Sequence, residues 1–312
     1  MRKIGQLLLI LGVINAMAWQ VWGQTENTAK GRYRVFTADG KPITLGEIAA
    51  QLDGVSVLCL GEKHDDPAAH EVEAELLRLA VERYVTGASK RPVALSLEMF
   101  ERDVQIVVDE YLAGLISERH FLSSSRPWNN YPTDYKPLIE LAKTNKVPVL
   151  AANAPGRYVN MVSRLGRDSL NQLAPQAKIW LPKLPFPVSS PPYSDKFNAL
   201  MGGGVPTAAM PGSATHGSSG LLDAQTLRDA AMAEALALYL KKEDKSFILQ
   251  VNGSFHSEER LGVPEQLQHY RPKTKTLVIT VIPDKSFPNF NPALGKFGDY
   301  VIISDPTGPR SM

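Results

Sequence analysis

Two stretches decide the fold: LCLGEKHDD at residues 58–66 and LQVNGSFHSEE at residues 249–259. In each, an apolar run breaks at a glycine and a histidine follows three positions later, Gly61 to His64 and Gly253 to His256. A continuous apolar run without polar alternation reads as a strand covered on both faces, as in a parallel sheet. Open α/β folds place their ligands just beyond the carboxyl ends of such strands. Two imidazoles at two strand ends therefore imply a site.

Working outward, similar runs rich in Val, Ile and Leu occur at Val55–Leu60, Val93–Leu97, Val147–Ala151, Phe247–Val251, Leu277–Ile282 and Tyr300–Ile303. Helical patterns lie between them. Val72, Leu76, Leu79 and Arg83 or Tyr84 form one stripe at three- and four-residue steps, with Glu71, Glu73, Glu75 and Glu82 mostly off it. Asp65 or Asp66 followed by Pro67 is a helix start, an N-cap joined to an early proline. Further helices are expected over Asp103–Ala113, Thr133–Asn145, Gly156–Leu165, Asp223–Lys241 and Pro264–His269. The fold class is α/β: a mostly parallel central sheet with helices on both faces. A Pro/Gly/Ser-rich insertion at about 181–220 interrupts it and reads as a lid, a partner-binding flap or a disordered insert. It carries Tyr193, Met201, Met210 and His216.

The chain of 312 residues suits one large α/β domain plus that insertion. Its composition, 44% hydrophobic and 21% charged, is that of a globular protein. A formal net charge of +2 offers no electrostatic footprint for nucleic acid, and that partner class is set aside. Residues 1–23 read as a secretory signal peptide, with Arg2 and Lys3 ahead of a short apolar core and small residues before Gln24. The apolar run is short for about 30 Å of hydrocarbon, which favours cleavage over anchoring. The domain then spans 24–312, secreted or periplasmic. Cys59, the one cysteine, lies inside the first strand, where a buried thiol is expected and no internal disulfide can form.

The polar residues fall at the strand ends: Glu62 and His64 after the first, Glu98 and Glu101 after the second, Asn153 after the third, Asn252 and His256 after the fourth. Singly, each has a plain structural reading: Glu62 or Asp65 as a helix cap, Asn153 and Asn252 as turn residues, a histidine as a satisfied polar group. Neighbouring parallel strands would bring them to one edge. Glu98 is the sharpest case, because a carboxylate following VALSL sits where the strand is still being buried and must be paired, metal-bound or protonated. His64, Glu98 and His256 are the candidate ligands for a divalent metal ion. Alternatively Glu62, His64, Glu98 and His256 work without metal, a glutamate raising the basicity of a histidine that activates water. Glu101, Asn153 and Asn252 are supporting residues. His70 joins only if the first helix turns it toward the site, and His120 and His269 read as surface residues.

At these residues the chain resembles a known family. GEKHDD, SLEMFERD, WNNYPTDYKPLIELA, AANAPGRY, QTLRDAAMAEAL and VNGSFHSEERLG together look like the ChaN-like haem-binding uptake family, over roughly residues 50 to 285. That family shares a superfamily with the Tiki and TraB proteins and the erythromycin esterases. The resemblance implies an exported haem-binding protein of iron uptake, secreted, periplasmic or associated with the outer membrane. It further implies a homodimer with haem shared between subunits and a haem-uptake receptor or transporter as partner. The superfamily's other activities keep open a peptidase or esterase built on the Glu/His cluster. No Cys-x-x-Cys-His is present for covalent haem attachment. Tyrosine ligates haem iron, so Tyr193 is the first candidate ligand, with Lys196 for a propionate; Tyr131, Tyr135 and Tyr158 follow.

Overall fold

The computed structural model describes residues 31–202 and 217–311. The signal-peptide segment, Met210 and His216 lie outside them. Seven strands form one sheet: β1 Tyr33–Thr37, β2 Val57–Glu62, β3 Val93–Glu101, β4 Val149–Asn153, β5 Phe247–Gly253, β6 Thr276–Pro283 and β7 Tyr300–Ser304. The order across the sheet is β1-β7-β6-β2-β5-β3-β4, parallel except for β1, which runs antiparallel to β7. The six strands expected from apolar runs are all present. The edge strand β1, YRVFT, is short and pairs on one side only, so it lacks the fully apolar run of a central strand.

Alternate residues of the central strands feed two cores, as the two-residue period of a strand requires. Leu58, Leu60, Leu95, Leu97, Leu249 and Val251 face a large cluster with helices α1 Leu45–Ala50, α2 Pro67–Ala80, α3 Gln105–Leu112, α4 Glu118–Ser125 and α5 Lys136–Thr144. Val57, Cys59, Ala94, Ile248 and Val278 face the other layer, where Met232, Ala233, Leu236 and Leu240 are packed. Burial pushes the Cys59 thiol up to about 12, so it stays protonated and inert.

The remaining helices are α6 Gly156–Leu165, the single turn α7 Pro175–Lys178, α8 Pro191–Gly202, α9 Gly217–Lys242 and α10 Val263–Tyr270. Met232 to Leu240 of α9 and Val263 and Leu267 of α10 build the second layer. Asp66 is the N-cap of α2, its Oδ1 accepting from the Ala68 N–H at 3.0 Å, with Pro67 in the first turn. Thr44 and Glu47 form a reciprocal capping box at the start of α1. The described part of the proline-rich stretch, residues 181–202, ends in a helix. It contains α8, and Leu181, Phe186, Tyr193 and Phe197 are buried there, because each apolar side chain finds a partner against α6 or α9, or against Phe255. Among the described residues no helix is long and apolar enough to cross a membrane.

Candidate functional site

The central position of β2 between β6 and β5, with β3 beyond β5, sets the carboxyl ends of β2, β5 and β3 side by side. Gly61 stands opposite Asn252, and Glu62 opposite Gly253. The two Gly-x-x-His motifs interlock. A Cβ on Gly253 would lie 2.8 Å from His64 Nε2, and a Cβ on Gly61 would lie 2.8 Å from Ser254 Cα and 2.9 Å from Ser257 Oγ. Each glycine makes room for the turn that carries the other motif, so close approach explains the repeat.

Behind His64 stands a relay. Tyr135 donates to Glu62 Oε1 at 2.7 Å, and the same oxygen lies 2.8 Å from His64 Nδ1. The His64 ring meets Trp128 edge-on with centroids 4.7 Å apart, and its backbone carbonyl accepts from Asn130 at 2.9 Å. Burial alone would lower the His64 pKa, but the Glu62 carboxylate more than offsets it and raises it. With Nδ1 held by Glu62, Nε2 is left over Gly253 at the cleft.

His256 has a matching relay on the other side. Tyr193 donates to Asp229 Oδ2, and Asp229 Oδ1 lies 2.6 Å from His256 Nδ1. On its far side His256 Nε2 sits 3.4 Å from Glu98 Oε1, while Glu98 Oε2 accepts from the Gly253 N–H at 2.8 Å. Burial would raise the Glu98 pKa, yet the charge of His256 holds it down at about 2. Burial would likewise lower His256, yet Glu98 and Asp229 carry it up to about 10. His256 therefore lies between Glu98 and Asp229 in a buried triad, and the two carboxyl groups favour its protonated form.

The cleft encloses about 360 Å³ and is lined by residues that include His64, Glu98, Trp128, Asn153, Arg228 and His256. Through Gln225 and Arg228 it continues into a groove of about 370 Å³ that includes Val159, Phe197, Met201 and Leu221. Asn153 donates to the Glu98 carbonyl at 3.0 Å, and Asn252 to Ser257 Oγ at 2.9 Å. Glu101 accepts from the Gly156 N–H and from Arg126, which ties the start of α6 to the rim. Glu62, which is 1% exposed, stands behind His64 rather than on the cleft wall.

Two sets of candidate residues have other partners in the structure. Tyr193 is 1% exposed, its hydroxyl engaged with Asp229, and burial beside that carboxylate pushes its pKa well up. The Lys196 ammonium donates to the Phe255 carbonyl at 2.8 Å and pairs with Glu258. Neither polar group faces the cleft, because α8 packs on its aromatic side and turns both inward. They position His256 and its loop instead. Among the described residues, the three-residue grouping with ligand atoms within 4.8 Å is Glu62, His70 and Glu73, not His64, Glu98 and His256. Tyr131 is buried among aromatic rings and Tyr135 serves Glu62. Tyr158 packs beneath the Arg157 guanidinium. His120 and His269 are exposed, as expected of surface residues.

Asp229 was missed. Its signal was present: in LRDAAMAEAL Asp229 shares a face, at three- and four-residue steps, with Met232, Ala233 and Leu236. Arg126 and Trp128 reach the cleft from the end of α4 and the loop after it, and Arg228 from within α9, and only the tertiary arrangement brings them there.

A sequence-family model described as haem-binding uptake, Tiki superfamily, ChaN, matches residues 48–267. No curated protein sequence matches the chain. Among solved structures, ChaN of Campylobacter jejuni, described with cofacial haem binding, aligns with a TM-score of 0.63 at 17% identity, covering 88% of this chain and 98% of that one. A mutant of the erythromycin esterase EreC in its open conformation aligns with a TM-score of 0.47 at 11% identity, covering 88% and 83%. The type III effector HopBA1 aligns with a TM-score of 0.42 at 12% identity, covering 84% and 93%.

Proposed function

The chain belongs to the haem-binding uptake family of ChaN, within the Tiki superfamily, and on that premise we propose that it binds haem for uptake at the carboxyl edge of the sheet. The observation that carries the reading is the apolar groove of Val159, Phe197, Met201 and Leu221, continuous through Arg228 with the polar cleft. Such a groove suits the flat apolar face of a porphyrin, and Arg228 offers a guanidinium to a propionate carboxylate. Leu200 and Leu221 are exposed at 66% and 42%, in keeping with a second subunit covering haem in a homodimer. Export after removal of residues 1–23, to the periplasm or exterior, and delivery of haem to an uptake receptor or transporter complete the proposal.

The test is a haemin titration of the mature, haem-free protein followed by absorbance. A saturable Soret band, weakened at least tenfold in haem affinity by Leu221→Asp or Arg228→Glu, is expected. No saturable band would overturn the reading.

A second reading, a Glu/His hydrolase, is favoured by one observation: His64 is backed by Glu62 and Tyr135 as a general base would be, opposite His256, whose carboxylate partners favour its protonated form. A peptidase and esterase screen checks it. Turnover that His64→Gln lowers by about 100-fold or more would support it; turnover indifferent to His64 would remove it.

A further inference from the structure

A second cluster lies behind the cleft, on the inner face of α2. His70 Nδ1 is 3.2 Å from Glu62 Oε2 and 3.4 Å from Glu73 Oε2. Glu62 and Glu73 are 1% and 0% exposed and His70 is 7% exposed. Two carboxylate oxygens in the cluster, Glu62 Oε2 and Glu73 Oε1, have no hydrogen-bond partner. His70 is the imidazole set among these acceptors, and a buried carboxylate oxygen without a donor is costly, so the cluster formed by the end of β2 and the first turns of α2 favours an added cation.

The spacing fits a metal. Ligands about 2.0–2.1 Å from a tetrahedral ion stand about 3.3 Å apart, the edge of the tetrahedron, and the two measured separations straddle that value. The outer contact fits as well. His70 Nε2 hydrogen-bonds the His64 carbonyl at 3.2 Å and lies 3.3 Å from Asp134 Oδ2, and Asp134 is itself held by Asn130 at 2.7 Å. Metal-bound histidines characteristically carry a carboxylate on the remote ring nitrogen, which fixes the ring and its tautomer. The histidine and the glutamate three residues on share one face of α2, so a single helix supplies two ligands and β2 the third.

We propose that Glu62, His70 and Glu73 form a buried site for one divalent transition ion of the zinc class, separate from the haem cleft. Imidazole with carboxylates suits that class. Because Glu62 Oε1 also holds His64, the ion would fix the carboxylate that orients the cleft imidazole, and so link a structural metal to the functional edge.

The experiment is a zinc titration of the mature, haem-free protein after dialysis against chelator, with metal content measured by elemental analysis. One tightly held zinc per chain is expected, with Glu73→Gln weakening it at least about 100-fold and Asp134→Asn by about 10–100-fold. X-ray absorption of the zinc-loaded wild type, which needs no variant to fold, should show light-atom ligands at about 2.0–2.2 Å including a single imidazole. No stoichiometric zinc, zinc retained in Glu73→Gln, or a shell with two imidazoles would each overturn the proposal. The last of these would place the ion at His64 and His256. Zinc lost on Glu98→Gln but kept in Glu73→Gln would do the same.

Discussion

Replacing Glu98 by glutamine probes the charge triad that closes the strand edge. The carboxylate is 5% exposed and meets the Gly253 N–H at 2.8 Å and His256 Nε2 at 3.4 Å. At that separation a unit charge pair is worth about 5 kcal/mol at an effective dielectric of about 20, before desolvation is deducted. Breaking a buried pair by removing one partner costs about 3–5 kcal/mol. Two features moderate the loss: a glutamine oxygen still accepts from Gly253, and Asp229 at 2.6 Å continues to neutralise His256. A loss of about 2–4 kcal/mol follows, since the new amide N–H group faces a protonated imidazole and pairs with nothing. The pH dependence is the sharper test. Glu98, depressed from 4.5 to about 2, contributes stability that is present above pH 4.5 and is lost as pH falls toward 2. His256, raised from 6.5 to about 10, contributes stability that is complete below pH 6.5 and is lost as pH rises toward 10, with a slope of at most about 1.4 kcal/mol per pH unit. The titratable groups facing His256 are Glu98, Asp229 and His64, and the Gln225 side-chain amide lies 3.1 Å from its Nε2. The deficit of Glu98→Gln should therefore be widest between about pH 4.5 and 6.5 and narrow on either side. Urea melts of both proteins across pH 4 to 9.5 measure it. A deficit below about 1 kcal/mol, or one that does not change with pH, would refute the charge triad.

Three further outcomes follow from the packing. Gly253→Ala should push the His64 ring off Glu62 and Trp128, costing about 1–3 kcal/mol by overpacking and altering the His64 imidazole titration read by NMR; an unchanged His64 signal would show that the interlock is slack. Tyr193→Phe should leave a haem spectrum unaltered while lowering stability by about 1 kcal/mol, because its hydroxyl serves Asp229; loss of the haem band would restore the phenol as an iron ligand. Thr44→Ala should remove the capping box of α1 at a cost of about 0.5–2 kcal/mol in a thermal melt, and a neutral result would mean that packing of Leu45 and Ile48 alone holds that helix.

The apolar runs alone specify the α/β class, six of the seven strands among the described residues and, at or near their carboxyl ends, His64, Glu98, Asn153 and His256. The physical reason is local. A strand buried on both faces is predominantly apolar, and polar side chains gather where it reaches the sheet edge, so strands and their termini are largely written into consecutive residues. What only the tertiary structure decided is the company these residues keep. The order of β2, β5 and β3 across the sheet, which no run of residues specifies, brings the two motifs into contact and reveals that Gly61 and Gly253 are needed for each other's turns. The helix residues that complete the site, Asp229, His70 and Glu73, depend on how α9 and α2 are rotated about their axes against the sheet. An amphipathic stripe sets which face is inward but not which polar side chain meets which strand end. The same holds for Tyr193. Its residue type suits an iron ligand, and only the packing of α8 against α9 shows that its hydroxyl turns inward to Asp229.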